Sequence, residues 1–167
     1  DNTVYIASDK VYALHGQTGD KIWEFEIEED GHGISESTPA IGNDGTVYIG
    51  SQSIPNGYGK IICLDGESGK KLWEFETGSS SGDVISSPAM GSNGTVYIGS
   101  CDYFVYALKS SSTGPLDSPW PMLGKNAQRT ARVQEKPTLS PPVISNLKLV
   151  NIEGVFSIKF TFDRQPL

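Results

Sequence analysis

Apolar and polar residues alternate along most of this chain with a period of two. In "IWEFE" (residues 22–26) and "LWEFE" (residues 72–76), Trp and Phe alternate with Glu. Such a segment buries one face and solvates the other, which is the pattern of a half-buried strand. "TVYIGS" occurs at 46–51 and 95–100, and "TVYIAS" at 3–8; all are rich in β-branched and aromatic residues that fit a pleated surface. "VYALH" (11–15), "IICLD" (61–65) and "VYALK" (105–109) read as further strands. "TPAIG" and "SPAMG" precede hairpin turns at Asn43-Asp44-Gly45 and Ser92-Asn93-Gly94, where Asn, Asp and Gly supply positive φ. "GQTGDK" and "GESGKK" lead into the Trp-Phe strands. No segment carries helical periodicity over a useful length, so the pattern predicts a chain that is nearly all β.

These elements recur in the same order. "VYALHGQTGDKIWEFE" (11–26) returns as "IICLDGESGKKLWEFE" (61–76), and "STPAIGNDG" (37–45) as "SSPAMGSNG" (86–94). The period is about 43 to 50 residues, with four short strands per copy, which is the length and content of a propeller blade rather than of a helical repeat. A blade cannot cover its own two faces, and stacking against neighbours does so. The second copy carries extra residues, "QSIPNGYG", which read as a lengthened loop.

The segments "ALHGQTGDKIW" (13–23) and "SSPAMGSNGTVYIGS" (86–100) resemble the pyrroloquinoline-quinone (PQQ) repeat of quinoprotein-like β-propellers. In that family an Ala, a Gly and a Trp form a docking motif, with the indole of one blade packed near a turn of its neighbour. The resemblance places this motif on Ala13, Gly19 and Trp23, and on Cys63, Gly69 and Trp73, with Cys in place of Ala. The third copy keeps Ala107, with Gly114 and Trp120 as counterparts at shifted spacing. "SPWPMLGKNAQRTAR" (118–132) resembles the closing segment of such propellers. The implied fold is all-β: about three four-stranded antiparallel blades in an incomplete ring, the chain opening at a second strand so that the first blade lacks its outer partner. Propellers usually need four to eight blades. The chain therefore reads as the C-terminal portion of a longer propeller protein, or as a unit whose copies associate to complete a ring.

Residues 1–132 read as the blades with their closing segment, 133–142 as a Pro-rich linker, and 143–167 as a tail. In the tail Phe156, Ile158, Phe160 and Phe162 alternate with Ser157, Lys159 and Thr161, the signature of a strand. The tail resembles the opening of a small β-sandwich module appended to secreted bacterial proteins; alternatively it is a hairpin docked on the propeller.

Charge and chemistry narrow the function. A net charge of -7 argues against nucleic acid and against a basic membrane-surface helix. No run of about 20 apolar residues spans a membrane. Cys63 and Cys101 match no metal or redox spacing and read as two buried, inert thiols, with a disulfide between them left open. Quinoprotein dehydrogenases hold the quinone between a Trp and a disulfide of adjacent cysteines, beside a Ca²⁺ site and a catalytic Asp; the resemblance does not extend to these, since no two cysteines are adjacent here. Asp44, Asp65, Asp102 and His15 read as turn residues. Glu28, Glu29, Asp30, His32 and Glu36 read as a solvated charged loop rather than a cation site. No catalytic, cofactor-binding or metal residue is assigned.

The expected function is a non-catalytic propeller scaffold or protein-binding module of an exported bacterial or archaeal protein, located outside the cell, in the periplasm or at the cell surface. Its expected partners are other proteins or further blades, met through residues 28–37 and 52–59, and its copies are able to complete a ring as a homo-oligomer. The alternatives are a fragment of a dehydrogenase dependent on PQQ and calcium, and a carbohydrate-binding exported protein that uses Tyr58, Tyr103 and Phe104 as stacking platforms.

Overall fold

The alternating runs become strands in the order the pattern predicts. The computed structural model describes residues 2–27, 33–53, 59–77, 83–118, 121–126, 148–152 and 155–159. Trp120, Tyr58, His32, Glu28, Glu29, Asp30, the linker and most of the tail lie outside them. No helix occurs among the described residues, so none is long and apolar enough to cross a membrane.

The first blade is a meander of β1 (Thr3–Ala7), β2 (Lys10–His15) and β3 (Lys21–Glu26). The second comprises β5 (Ala40–Ile41), β6 (Thr46–Ser53), β7 (Lys60–Asp65) and β8 (Lys71–Glu76); a short strand not foreseen from the pattern, β4 (Gly33–Ile34), pairs with the far end of β6. The third is built on β9 (Ala89–Met90), β10 (Thr95–Gly99) and β11 (Val105–Lys109). All pairings are antiparallel. The internal repeat extends to irregularities: the register shifts after Ala13 opposite Trp23, and again after Cys63 opposite Trp73.

The third blade departs from the other two at its outer edge. There the strand beside β11 is β13 (Val155–Lys159), itself paired with β12 (Lys148–Ile152). The chain following β11 instead turns back to β5. Gly42 bridges Pro115, the Leu116 amide donates to the Ile41 carbonyl, and the Ile41 amide donates to the Pro121 carbonyl.

Two apolar layers separate the three sheets, and the second blade lies between them. Val47, Ile49, Ile62 and Leu64 pack with Val11, Ala13, Trp23 and Ile27 of the first blade. The alternate residues Tyr48, Ile61 and Cys63 pack with Met90, Val96, Ile98, Tyr106 and Leu108 of the third. A strand covered on both sides needs no polar face, which is why "IICL" is a continuous apolar run whereas the outer strands alternate with Glu. At those outer edges Lys10 pairs with Glu24 and Glu26, and Lys21 and Lys71 with Glu24 and Glu74. Exposed pairs of this kind add little stability, but charges on an edge strand discourage further pairing.

Candidate interaction site at the blade seams

The seam between the first two blades centres on one carbonyl. Gly66, in the turn after β7, accepts from the Trp23 indole Nε1 at 2.9 Å and from the Tyr5 hydroxyl at 3.1 Å. The two rings are tilted against each other with centroids 5.8 Å apart. Gly69, three residues on, has φ 73° and lies under the indole: a Cβ there would be 2.7 Å from Trp23 Cδ2. Glycine is thus required twice at this position, once for a left-handed backbone and once for room. Ala13, opposite Trp23 in the register, is fully buried.

The second seam uses the same apolar face with a different lock. Tyr48 and Trp73 repeat the ring pair at 5.9 Å, and Trp73 packs half-buried against the core. Counting along β7 and β11 places Ser110 where the first seam has Gly66, and Thr113 where it has Gly69. Here the second blade's turn enters a polar network instead. The Asn43 side chain donates to Thr113 Oγ1 at 2.7 Å and accepts from the Ser112 hydroxyl at 2.7 Å, and the Ser111 hydroxyl donates to Asp44 at 2.7 Å. The Asn43 amide reaches the Gly114 carbonyl. A Cβ on Gly114 would meet the Ser92 carbonyl at 3.2 Å, not an indole. Ala107 is 7% exposed and faces Phe156 in the register, and Trp120 is not among the described residues.

The turn carboxylates serve the backbone. Burial alone would raise the Asp44 carboxyl, yet hydrogen bonds from the Thr46 hydroxyl, the Ser111 hydroxyl and the Thr46 amide hold it below the usual carboxylate range. The Ser68 hydroxyl and amide do the same for Asp65. Asp102 is buried and accepts from the Tyr106 hydroxyl at 2.5 Å. His15 stands in the first blade at the turn position of Asp65, with its amide bonded to Asp20 and its carbonyl to Gly19. A signal that sequence reading missed is the serine before "TPA" and "SPA". The Ser37 hydroxyl bonds both the amide and the carbonyl of Gly50, and Ser86 does the same with Gly99. The recurring Ser and the recurring "YIG" glycine are two halves of one clip.

Two expectations need correction. Cys63 is buried, and burial pushes its thiol up to about 12; Cys101, however, is exposed in the β10–β11 turn, and both cysteines are free. A turn tip has no core to hide a thiol in. Of the aromatics proposed as platforms, Tyr103 is 89% exposed and held at φ 70°, but Phe104 is half-buried and packs against the core 6.2 Å from Tyr106. Strand alternation turns adjacent residues to opposite sides. Among the described residues no three His, Cys, Asp or Glu side chains are grouped to hold a metal ion.

This repeated geometry has a counterpart in known proteins. A family model of the PQQ-repeat kind, described as outer membrane protein assembly factor BamB, matches residues 5–120. The chain belongs to this PQQ-repeat family. A solved structure similar to it is quinohemoprotein alcohol dehydrogenase from Comamonas testosteroni, at 21% identity and a TM-score of 0.45, over 69% of this chain and 19% of that one. The chain thus spans about a fifth of that enzyme's length. No curated protein matches the chain. As a PQQ-repeat chain it is an all-β protein of propeller blades.

Proposed function

We propose that this PQQ-repeat chain is a non-catalytic propeller scaffold that binds other proteins, as part of an exported protein of the periplasm or cell surface. The observation that carries this reading is the employment of its polar groups. Asn43, Asp44, Asp65, Asp102, Ser35, Ser37 and Ser86 are each taken up by a turn, a clip or a seam. The family description, an assembly factor of the outer membrane, agrees with a role in holding proteins together.

The alternative, a dehydrogenase using PQQ and calcium, fits the described residues poorly. Trp23 is 9% exposed, sealed between Tyr5 and Gly69, and offers no free face for a quinone. Cys63 and Cys101 are not adjacent. Proposed contact surfaces are residues 28–37 and 52–59, and Tyr103, exposed in the β10–β11 turn. Reconstitution with PQQ and Ca²⁺ should give no dye reduction, and turnover of an alcohol or sugar by the reconstituted protein would falsify the scaffold reading. Shortening both loops should abolish binding to a partner that the intact protein retains; binding left at its original strength would remove those loops from the surface.

A further inference from the structure

In the first two blades the outer strand follows its neighbour through a turn, residues 16–20 before β3 and 66–70 before β8. In the third blade residues 110–154 intervene between β11 and β13, and the chain leaving β11 goes first to β5. No tight turn therefore holds the occupant of the β11 edge. The ladder is also shorter. It covers Lys10–Leu14 in the first blade and Lys60–Leu64 in the second, but among the described residues Val105–Ala107 in the third.

The register aligns the three outer strands residue by residue. Phe25 and Trp23 stand opposite Val11 and Ala13, Phe75 and Trp73 opposite Ile61 and Cys63, and Ile158 and Phe156 opposite Val105 and Ala107. The apolar places are thus kept. The places of Glu24 and Glu26, or of Glu74 and Glu76, go to Ser157 and Lys159. The neighbouring strand changes to match. Lys10 reaches Glu26 at 2.6 Å and Glu24 at 3.1 Å, and Lys60 lies 3.9 Å and 4.0 Å from Glu74 and Glu76. Phe104 stands at that lysine position in the third blade and packs with Tyr106 and the core. A carboxylate laid along β11 would meet no lysine there.

We propose that the outer edge of β11 is a strand-acceptor site for a partner protein. An extended segment of that partner, apolar at alternate positions and free of carboxylates between them, adds antiparallel to β11 in place of β13. Backbone hydrogen bonds along the edge give affinity, and the alternate side chains give selectivity. The chain's own tail guards the site. Being tethered, it competes at an effective concentration on the order of millimolar, so a partner displaces it only by pairing better or by adding a second contact. This site takes from the scaffold reading only that the partner is a protein. Peptide binding at β11 involves neither the loops nor PQQ, so each can fail while the other stands.

The probe is a labelled peptide of residues 153–161, titrated by fluorescence anisotropy into the full chain carrying Cys101→Ser. Ser157 lies in a strand paired on both sides, so Ser157→Pro removes a ladder donor from the guard. It should tighten peptide binding at least about tenfold, by removing the tethered competitor. A second variant keeps the tail intact. Ala107→Cys with Phe156→Cys places two thiols opposite each other, within disulfide reach. Oxidation locks the tail on β11 and should abolish peptide binding, and reduction should restore it. A peptide carrying Ser157→Glu and Lys159→Glu should bind the Ser157→Pro chain several-fold more weakly. Equal peptide binding by the oxidised and reduced chains would overturn the site, as would no binding by either the Ser157→Pro or the reduced chain. Equal binding of the glutamate peptide would overturn the partner's chemistry. Oxidation that yields covalent dimers in place of monomers would give the edge to a second copy's tail and overturn the assignment to a partner protein.

Discussion

The two seams of this molecule join like faces by unlike means. At the first, one glycine carbonyl takes an indole and a phenol, and a second glycine makes room for the ring. At the second, Ser110 and Thr113 stand at those glycine positions, and an Asn-Asp turn bonds to Thr113 and to Ser111 and Ser112 between them. The apolar faces are equivalent in both, so the burial that drives blade stacking is common to the two. Only the lock differs. A seam needs its buried polar groups satisfied, and either a shared carbonyl or a side-chain network does so.

Breaking this comparison starts with the tryptophans. Trp23→Ala should cost about 3–5 kcal/mol in chemical denaturation, since the side chain is nearly fully buried and donates to Gly66. Trp73→Ala should cost about 1–2 kcal/mol less, because Trp73 is only half-buried. Equal losses would mean that the second seam depends on its ring as much as the first does. Next come the glycines. Gly69→Ala combines left-handed strain of about 1 kcal/mol with about 1–3 kcal/mol of crowding against the indole. Gly19→Ala in the same chain carries the strain alone, and the difference between the two measures the ring contact.

The polar lock should give smaller effects. Asn43→Ala is expected to cost about 1–2 kcal/mol, while Trp23→Ala and Asn43→Ala add independently in the double variant. Acid should act on this lock. Asp44 in the folded chain lies below its ordinary value, so its contribution is present above the unfolded carboxylate pKa of about 3.9 and disappears as pH falls through the folded one. A urea-midpoint profile should therefore separate wild type from Asp44→Asn at pH 7 and bring them together at the acid end; parallel profiles would show that Asp44 does not titrate with folding. The smallest effect is at the thiols. Cys101→Ser should change stability by less than about 0.5 kcal/mol, with Cys101 labelled in the native state and Cys63 only on unfolding.

Much of the fold was legible because its signals are short. Alternation in "LWEFE", β-branched runs in "TVYIGS" and glycines before strands each work over a few residues, and their recurrence gives the blade. The roles of particular residues were less legible. Cys101 and Phe104 were expected buried and exposed respectively, and the structure reverses both, because strand ends and turns decide direction residue by residue. The serine clip to Gly50 spans 13 residues and recurs from Ser86 to Gly99, but a repeated serine and a repeated glycine do not by themselves say that they bond to each other.

The sequence by itself determined the strands, their turns and the repeat, since these follow from local conformational preference and from the period of apolar residues. Only the tertiary structure decided how one blade meets the next. The indole of Trp23 finds its acceptor 43 residues away, the strand beside β11 comes from the tail, and Gly69 is crowded where Gly19 is free. Such contacts depend on which surfaces close over one another, and packing of that kind is fixed by shape and by unpaired polar groups across the whole chain rather than by any short stretch of it.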